Sequence, residues 1–135
     1  MATWPRELFG SLCWSCGKKR WESAEAFSEA VREYQIAIRE EDTWRPDEVV
    51  LKSEVVRVSF MCWNAEGTEQ PEPVLELRSA SPEGFTALDL FFKLCDGMAA
   101  FMTDHNMDLF DHCFFEGLSA GKSGAIPFYY VRFGS

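Results

Sequence analysis

Residues 81–102 read SPEGFTALDLFFKLCDGMAAFM. Phe85, Leu88, Phe91, Phe92, Leu94, Cys95, Met98, Phe101 and Met102 cover most of the circumference of a helix, while Asp89, Lys93 and Asp96 leave a narrow polar stripe. A helix patterned in this way must be packed on several sides. Ser81-Pro82-Glu83 predicts its start, with a cap, a proline at the first helical position and an early acid facing the dipole.

On the N-terminal side of this helix the period changes from three-and-four to two. Val56, Val58, Phe60 and Cys62 alternate with Arg57, Ser59 and Met61, which predicts a strand with one buried face within Val49 to Trp63. Val49 to Val55 is out of phase with that alternation, so a bulge or a strand in two parts is expected. Residues 64–73 hold Gly, Gln, two Pro and three Glu and read as an exposed loop, and Val74 to Arg78 reads as a short second strand. An earlier helix starts at Ser23, a plain N-cap, and runs to about Glu41 ahead of Trp44-Arg45-Pro46. Phe27, Ala30, Val31, Tyr34, Ala37 and Ile38 make its apolar stripe.

Beyond the central helix, Phe110–Leu118 and Ile126–Phe133 read as strands joined through Gly117, Gly121 and Gly124, a hairpin. The order helix, strand, strand, helix, strand, strand predicts an α+β fold, an antiparallel sheet of about four strands with both helices on one face. The 135 residues are expected to form a single domain, with residues 1–22 an irregular N-terminal extension.

Composition narrows the function classes. Apolar residues at 47% exclude a disordered chain. A formal net charge of −9 opposes direct binding to a phosphate backbone. No apolar run is long enough to span a membrane, and the start lacks a basic stretch followed by an apolar block. Five cysteines, an odd number at uneven spacing, fit reduced thiols, and the expected location is the cytoplasm.

Four short motifs invite chemistry. Cys13-Trp14-Ser15-Cys16-Gly17 could turn two thiolates towards one zinc ion, or act as a redox pair. No second C-x-x-C or His pair completes a zinc site, so ordinary packing is favoured, with Cys13 and Cys16 kept as metal candidates and no cofactor expected. Asp104-His105-Asn106-Met107-Asp108 opens like a calcium loop, but Leu109 and Phe115 stand where Gly and Glu are needed. Residues 117–123 imitate a phosphate loop with one residue too few and no following helix. His112 and Glu116 could share a strand face as acid and base, but no nucleophile or metal motif accompanies them, and no enzyme is inferred.

The remaining feature is charge. Residues 23–48 carry eight acids against three bases, a local −5, whereas residues 1–22 are locally +2. Glu25, Glu29, Glu33, Glu40, Glu41 and Asp42, with Asp104 and Asp108 further along, are the predicted contacts for a basic protein partner. Trp44 either anchors that partner or simply covers the end of the first helix.

Asp111-His112-Cys113-Phe114-Phe115-Glu116-Gly117-Leu118, then Pro127-Phe128-Tyr129-Tyr130 and Phe133-Gly134-Ser135, resembles the endings of small bacterial proteins. Some of these look like immunity proteins, cytosolic antidotes to interbacterial toxins. The resemblance covers the C-terminal third and implies inhibition by tight binding, without cofactor or catalysis. The expected function is therefore an immunity-type protein that binds a toxin or effector domain acting in the cytosol. The alternative is a small zinc-binding or thiol-redox protein using Cys13 and Cys16. The sequence leaves open whether the chain is a monomer or a homodimer.

Overall fold

The computed structural model describes residues 4–122 and 124–135. In chain order the elements are β1 (Glu7–Leu8), β2 (Trp14–Ser15), α1 (Ala24–Arg39), β3 (Val49–Leu51), β4 (Val55–Ser59), β5 (Val74–Arg78), β6 (Phe85–Thr86), α2 (Ala87–His105), β7 (Phe114–Ala120) and β8 (Phe128–Gly134). The chain is α+β, but the expected four-stranded antiparallel sheet is wrong. The main sheet has six strands, in the order β1-β7-β8-β4-β5 with β2 also on β7. It is mixed, because β8 runs antiparallel to β7 and parallel to β4. β3 and β6 form a separate two-stranded sheet.

Two physical causes account for the difference. First, the out-of-phase segment is a strand in its own right. Ser53 bonds both ways to the backbone of Val55, its hydroxyl donating at 2.7 Å, and this kink parts β3 from β4. β3 then pairs with β6, just ahead of α2. Second, β7 offers a free edge that the N-terminal segment occupies twice, with Leu8 opposite Leu118 and Trp14 opposite Phe115. That pairing satisfies backbone groups which would otherwise form an open edge. The β4–β8 pair is parallel because a long crossover containing α2 separates the two strands, and parallel strands require such a connection.

Ser81 does not cap α2. Ser81-Pro82-Glu83-Gly84 is a tight turn, in which the Gly84 N–H donates to Ser81 O at 3.1 Å and Gly84 takes φ +119°, outside helical space. The cap is Thr86, whose hydroxyl accepts from the Asp89 N–H at 3.1 Å. Helix α1 begins as expected, with Ser23 Oγ accepting from Ala26 N–H at 3.0 Å. Its buried line is Phe27, Ser28, Val31 and Gln35, and Ile38 of the expected stripe is 57% exposed.

Phe91 of α2 joins the parts of the core. Its ring lies 4.9 Å from Phe115 of β7, 5.4 Å from Phe9, 5.6 Å from Phe27 of α1 and 6.5 Å from Trp44, centroid to centroid. Tilted pairs at these separations add about 0.5–1.5 kcal/mol each beyond the area they bury. Val56, Val58, Phe60 and Cys62 are all buried, as their alternation predicts. Among the described residues no helix is long and apolar enough to cross a membrane.

Candidate functional site

The acidic block of the sequence becomes one face of α1. Glu29, Glu33 and Ile36 follow one another at steps of four and three, so they share a side of the helix opposite the buried line, and Glu40 follows as the exposed left-handed cap of its C-terminus. Glu25 stands one turn earlier on the same flank. All of these side chains are exposed, as are Glu41 and Asp42 beyond the helix end. Arg32 bonds Asp42 at 3.1 Å and Glu29 at 3.2 Å, and Arg45 lies 4.0 Å from Asp42. Among the described residues Glu25, Glu33, Glu40 and Glu41 have no basic partner, so their negative field reaches solvent uncancelled.

Trp44 is not on that face. It is 3% exposed, and its indole N–H donates to Ser28 Oγ at 2.9 Å beneath α1. The large apolar side chain actually displayed among the acids is Ile36, 44% exposed. Sequence reasoning missed it because Ile36 falls outside the apolar stripe. Its spacing from Glu29, Glu33 and Glu40 was the available signal.

Asp104 and Asp108 belong to another region. Asp104 is exposed on the last turn of α2. Asp108 is committed locally: Oδ1 accepts from the N–H groups of Leu109 at 2.7 Å and Phe110 at 3.1 Å, and Oδ2 lies 3.9 Å from Lys18. The would-be calcium loop is thus a helix end followed by a turn, with Asn106 in the left-handed cap position.

The two thiols of the C-x-x-C face different neighbours. The backbone of Cys13 is held by the buried side chain of Gln35, and its Sγ lies 3.4 Å from Arg39. Cys16 is buried and lines, with Cys95 of α2, a cavity of about 270 Å³ that Trp14, Trp21 and Met98 also line. Burial, reinforced by Cys16, pushes the Cys95 thiol well above its ordinary pKa. Among the described residues no three His, Cys, Asp or Glu side chains converge as a metal would require. His112 lies in the turn before β7, not on the strand, and its ring packs 5.4 Å from Trp63. Ser123 lies outside the described residues; the rest of the phosphate-loop look-alike is the end of β7 and its hairpin, where Gly121 N–H donates to Phe128 O.

No protein-family model matches the chain, and no match was found among curated proteins or solved structures.

Proposed function

We propose that the protein is an immunity-type antidote that binds a toxin or effector domain acting in the cytosol and blocks it stoichiometrically. The observation that carries this reading is the outer face of α1, where Glu25, Glu33 and Glu40 stand without a basic partner among the described residues and Ile36 is exposed between them. Uncancelled carboxylates accelerate encounter with a basic surface, and a central apolar side chain supplies contact that desolvates on docking. The C-terminal resemblance adds support from an independent stretch of chain. Toxins that act on nucleic acids carry basic clefts, and an acidic helix is complementary to such a cleft. The partner is therefore a basic protein domain, not a nucleic acid.

The test is capture of the tagged protein at native expression level from its own cytosol, followed by mass spectrometry of any equimolar companion. The purified companion is then assayed for toxicity with and without this protein. An equimolar complex with loss of toxicity is the expected result. A chain recovered alone, or a companion whose activity is unaffected by binding, overturns the reading.

A further inference from the structure

A second concave site lies away from the acidic helix, between the loop after Trp63 and the turn at residues 108–112. It is a cavity of about 340 Å³ lined by Trp63, Phe110 and His112, by the buried Leu109 and by the exposed acids Glu66 and Asp111. That volume is at the lower end of the range of small-molecule sites. Leu109 is fully buried and gives the cavity a rigid base.

Both rims are held by side chains that bond to backbone. Asn64 Oδ1 accepts from the N–H groups of Thr68 at 2.9 Å and Glu69 at 3.0 Å, closing one loop. Asp108 Oδ1 does the same for Leu109 and Phe110 on the other side. The two rims are joined directly, since Trp63 and Asp108 exchange backbone hydrogen bonds of 2.9 and 2.8 Å. The site is therefore preorganised, and little ordering is needed when a ligand enters.

Phe110 adds a separate signal. Its φ is +54°, a conformation that disfavours a bulky side chain, and yet the ring is 51% exposed. The fold thus holds a strained residue whose ring is only half covered. Backbone strain of this kind gathers at ligand sites. Phe110 lines the cavity together with Trp63 and His112, whose two rings lie 5.4 Å apart and tilted by 33°. Aromatic faces carry negative potential, and the two acids of the lining are Glu66 and Asp111, the latter with Oδ1 4.0 Å from Nε2 of His112. No Lys or Arg lines the cavity among the described residues.

We propose that this cavity binds an organic cation of the guanidinium or alkylammonium class, with its flat or methylene surface on Trp63 and Phe110 and its charge paired with Glu66 and Asp111. Rings give such cations an electrostatic attraction that a neutral group of the same shape lacks, and the carboxylates sharpen the discrimination. The proposal does not depend on the role of α1. A free small cation and a basic side chain on another protein share this chemistry.

The experiment follows amide and indole shifts by ¹⁵N NMR as N-acetyl-arginine amide is added, with N-acetyl-citrulline amide as the neutral isostere. The arginine compound is expected to move the Trp63 indole and the Gly67 amide, with a dissociation constant on the order of millimolar, and citrulline to bind at least about tenfold more weakly. The double change Glu66→Gln, Asp111→Asn should reduce arginine to the citrulline level. Phe110→Gly should abolish the shifts while leaving the melting temperature unchanged or higher, because glycine accepts the positive φ. Acetyl-Gly-Arg-Gly-amide separates the sources: tighter binding than the single residue assigns a protein side chain, and equal binding assigns a free cation. Equal affinity for arginine and citrulline, or no shift at Trp63 and Gly67 with either, overturns the proposal.

Discussion

The side chain of Gln35 in α1 holds Cys13 by both of its backbone groups: Oε1 accepts the Cys13 N–H at 2.9 Å, and Nε2 donates to the Cys13 carbonyl. Gln35 is fully buried, so these bonds replace water at the amide and at a stretch of chain lacking regular structure. The pairing attaches the N-terminal segment to α1, 22 residues away. Gln35→Leu keeps the bulk but leaves both Cys13 groups unmatched. It should lower unfolding free energy by about 2–4 kcal/mol in urea titration. An unchanged midpoint would show that water replaces the amide at no cost.

Trp44 and Ser28 form a second buried polar pair, joined by an indole N–H to hydroxyl bond of 2.9 Å. Ser28→Ala strands the indole donor and Trp44→Phe strands the hydroxyl, so each should cost about 1–3 kcal/mol. The double mutant should cost clearly less than the sum of the singles. Strict additivity in a double-mutant cycle would mean that the bond contributes nothing.

Gly84 has φ +119°, and an added Cβ would meet the carbonyl oxygen of Leu51 at 2.2 Å. Backbone cannot yield there without breaking the contact between β3 and β6. Gly84→Ala should therefore destabilise by about 3 kcal/mol or more, or prevent folding. Gly10, where nothing lies within 4 Å of an added Cβ, provides the control. Gly10→Ala should stay within about 0.5 kcal/mol of wild type in the same denaturation assay.

Tyr129 is buried in β8, and its hydroxyl donates to Pro5 O at 2.6 Å. Burial raises its pKa from 10.0 to about 12. A folded-state pKa above the unfolded one means that this contribution is whole below pH 10.0 and is lost as pH rises towards about 12. The loss should be on the order of 2 kcal/mol across that window. Urea midpoints measured from pH 9 to 12 should fall more steeply for wild type than for Tyr129→Phe, whose neutral-pH stability is lower from the start. Parallel curves would remove Tyr129 as the cause.

The proposed docking face makes a kinetic prediction. Glu25→Lys, Glu33→Lys and Glu40→Lys together should slow association with the captured partner by about tenfold or more at low salt, and the difference should shrink as salt is raised. These side chains are exposed and lack basic partners among the described residues, and the dipole interaction that Glu25→Lys loses in the first turn of α1 is offset by the one Glu40→Lys gains at its end, so the free protein should stay within about 1 kcal/mol of wild type. An association rate equal to wild type at low salt would remove the helix from the interface.

Part of this was legible in the chain. The alternation from Val56 to Cys62 faces the core as read, and Ser23 caps α1 as read. The start of α2 was misread because Ser81-Pro82-Glu83 suits a turn as well as it suits a cap, and Gly84 decides between them only through its positive φ. Trp44 was legible as an aromatic beside acids, but its direction was not, since the Ser28 hydroxyl it satisfies lies 16 residues earlier. The aromatic cavity was invisible for the same reason, as Trp63 and His112 are brought together by the pairing of Trp63 with Asp108.

What the sequence determined by itself is local: the two helices and the longer strands, where the negative charge accumulates, and which alternating residues face inwards, but not the two-residue strands β1, β2 and β6. Those properties follow from periodicity, capping and charge, which neighbours a few residues apart settle between themselves. Tertiary structure decided the six-stranded mixed sheet, the pairing of the N-terminal segment with β7, the burial of Trp44 and the cavity beside Phe110. Each of these depends on a backbone edge or an unpaired polar group finding its partner far along the chain. Such partners are selected by the requirement that buried donors and acceptors be satisfied, which no short window of sequence contains.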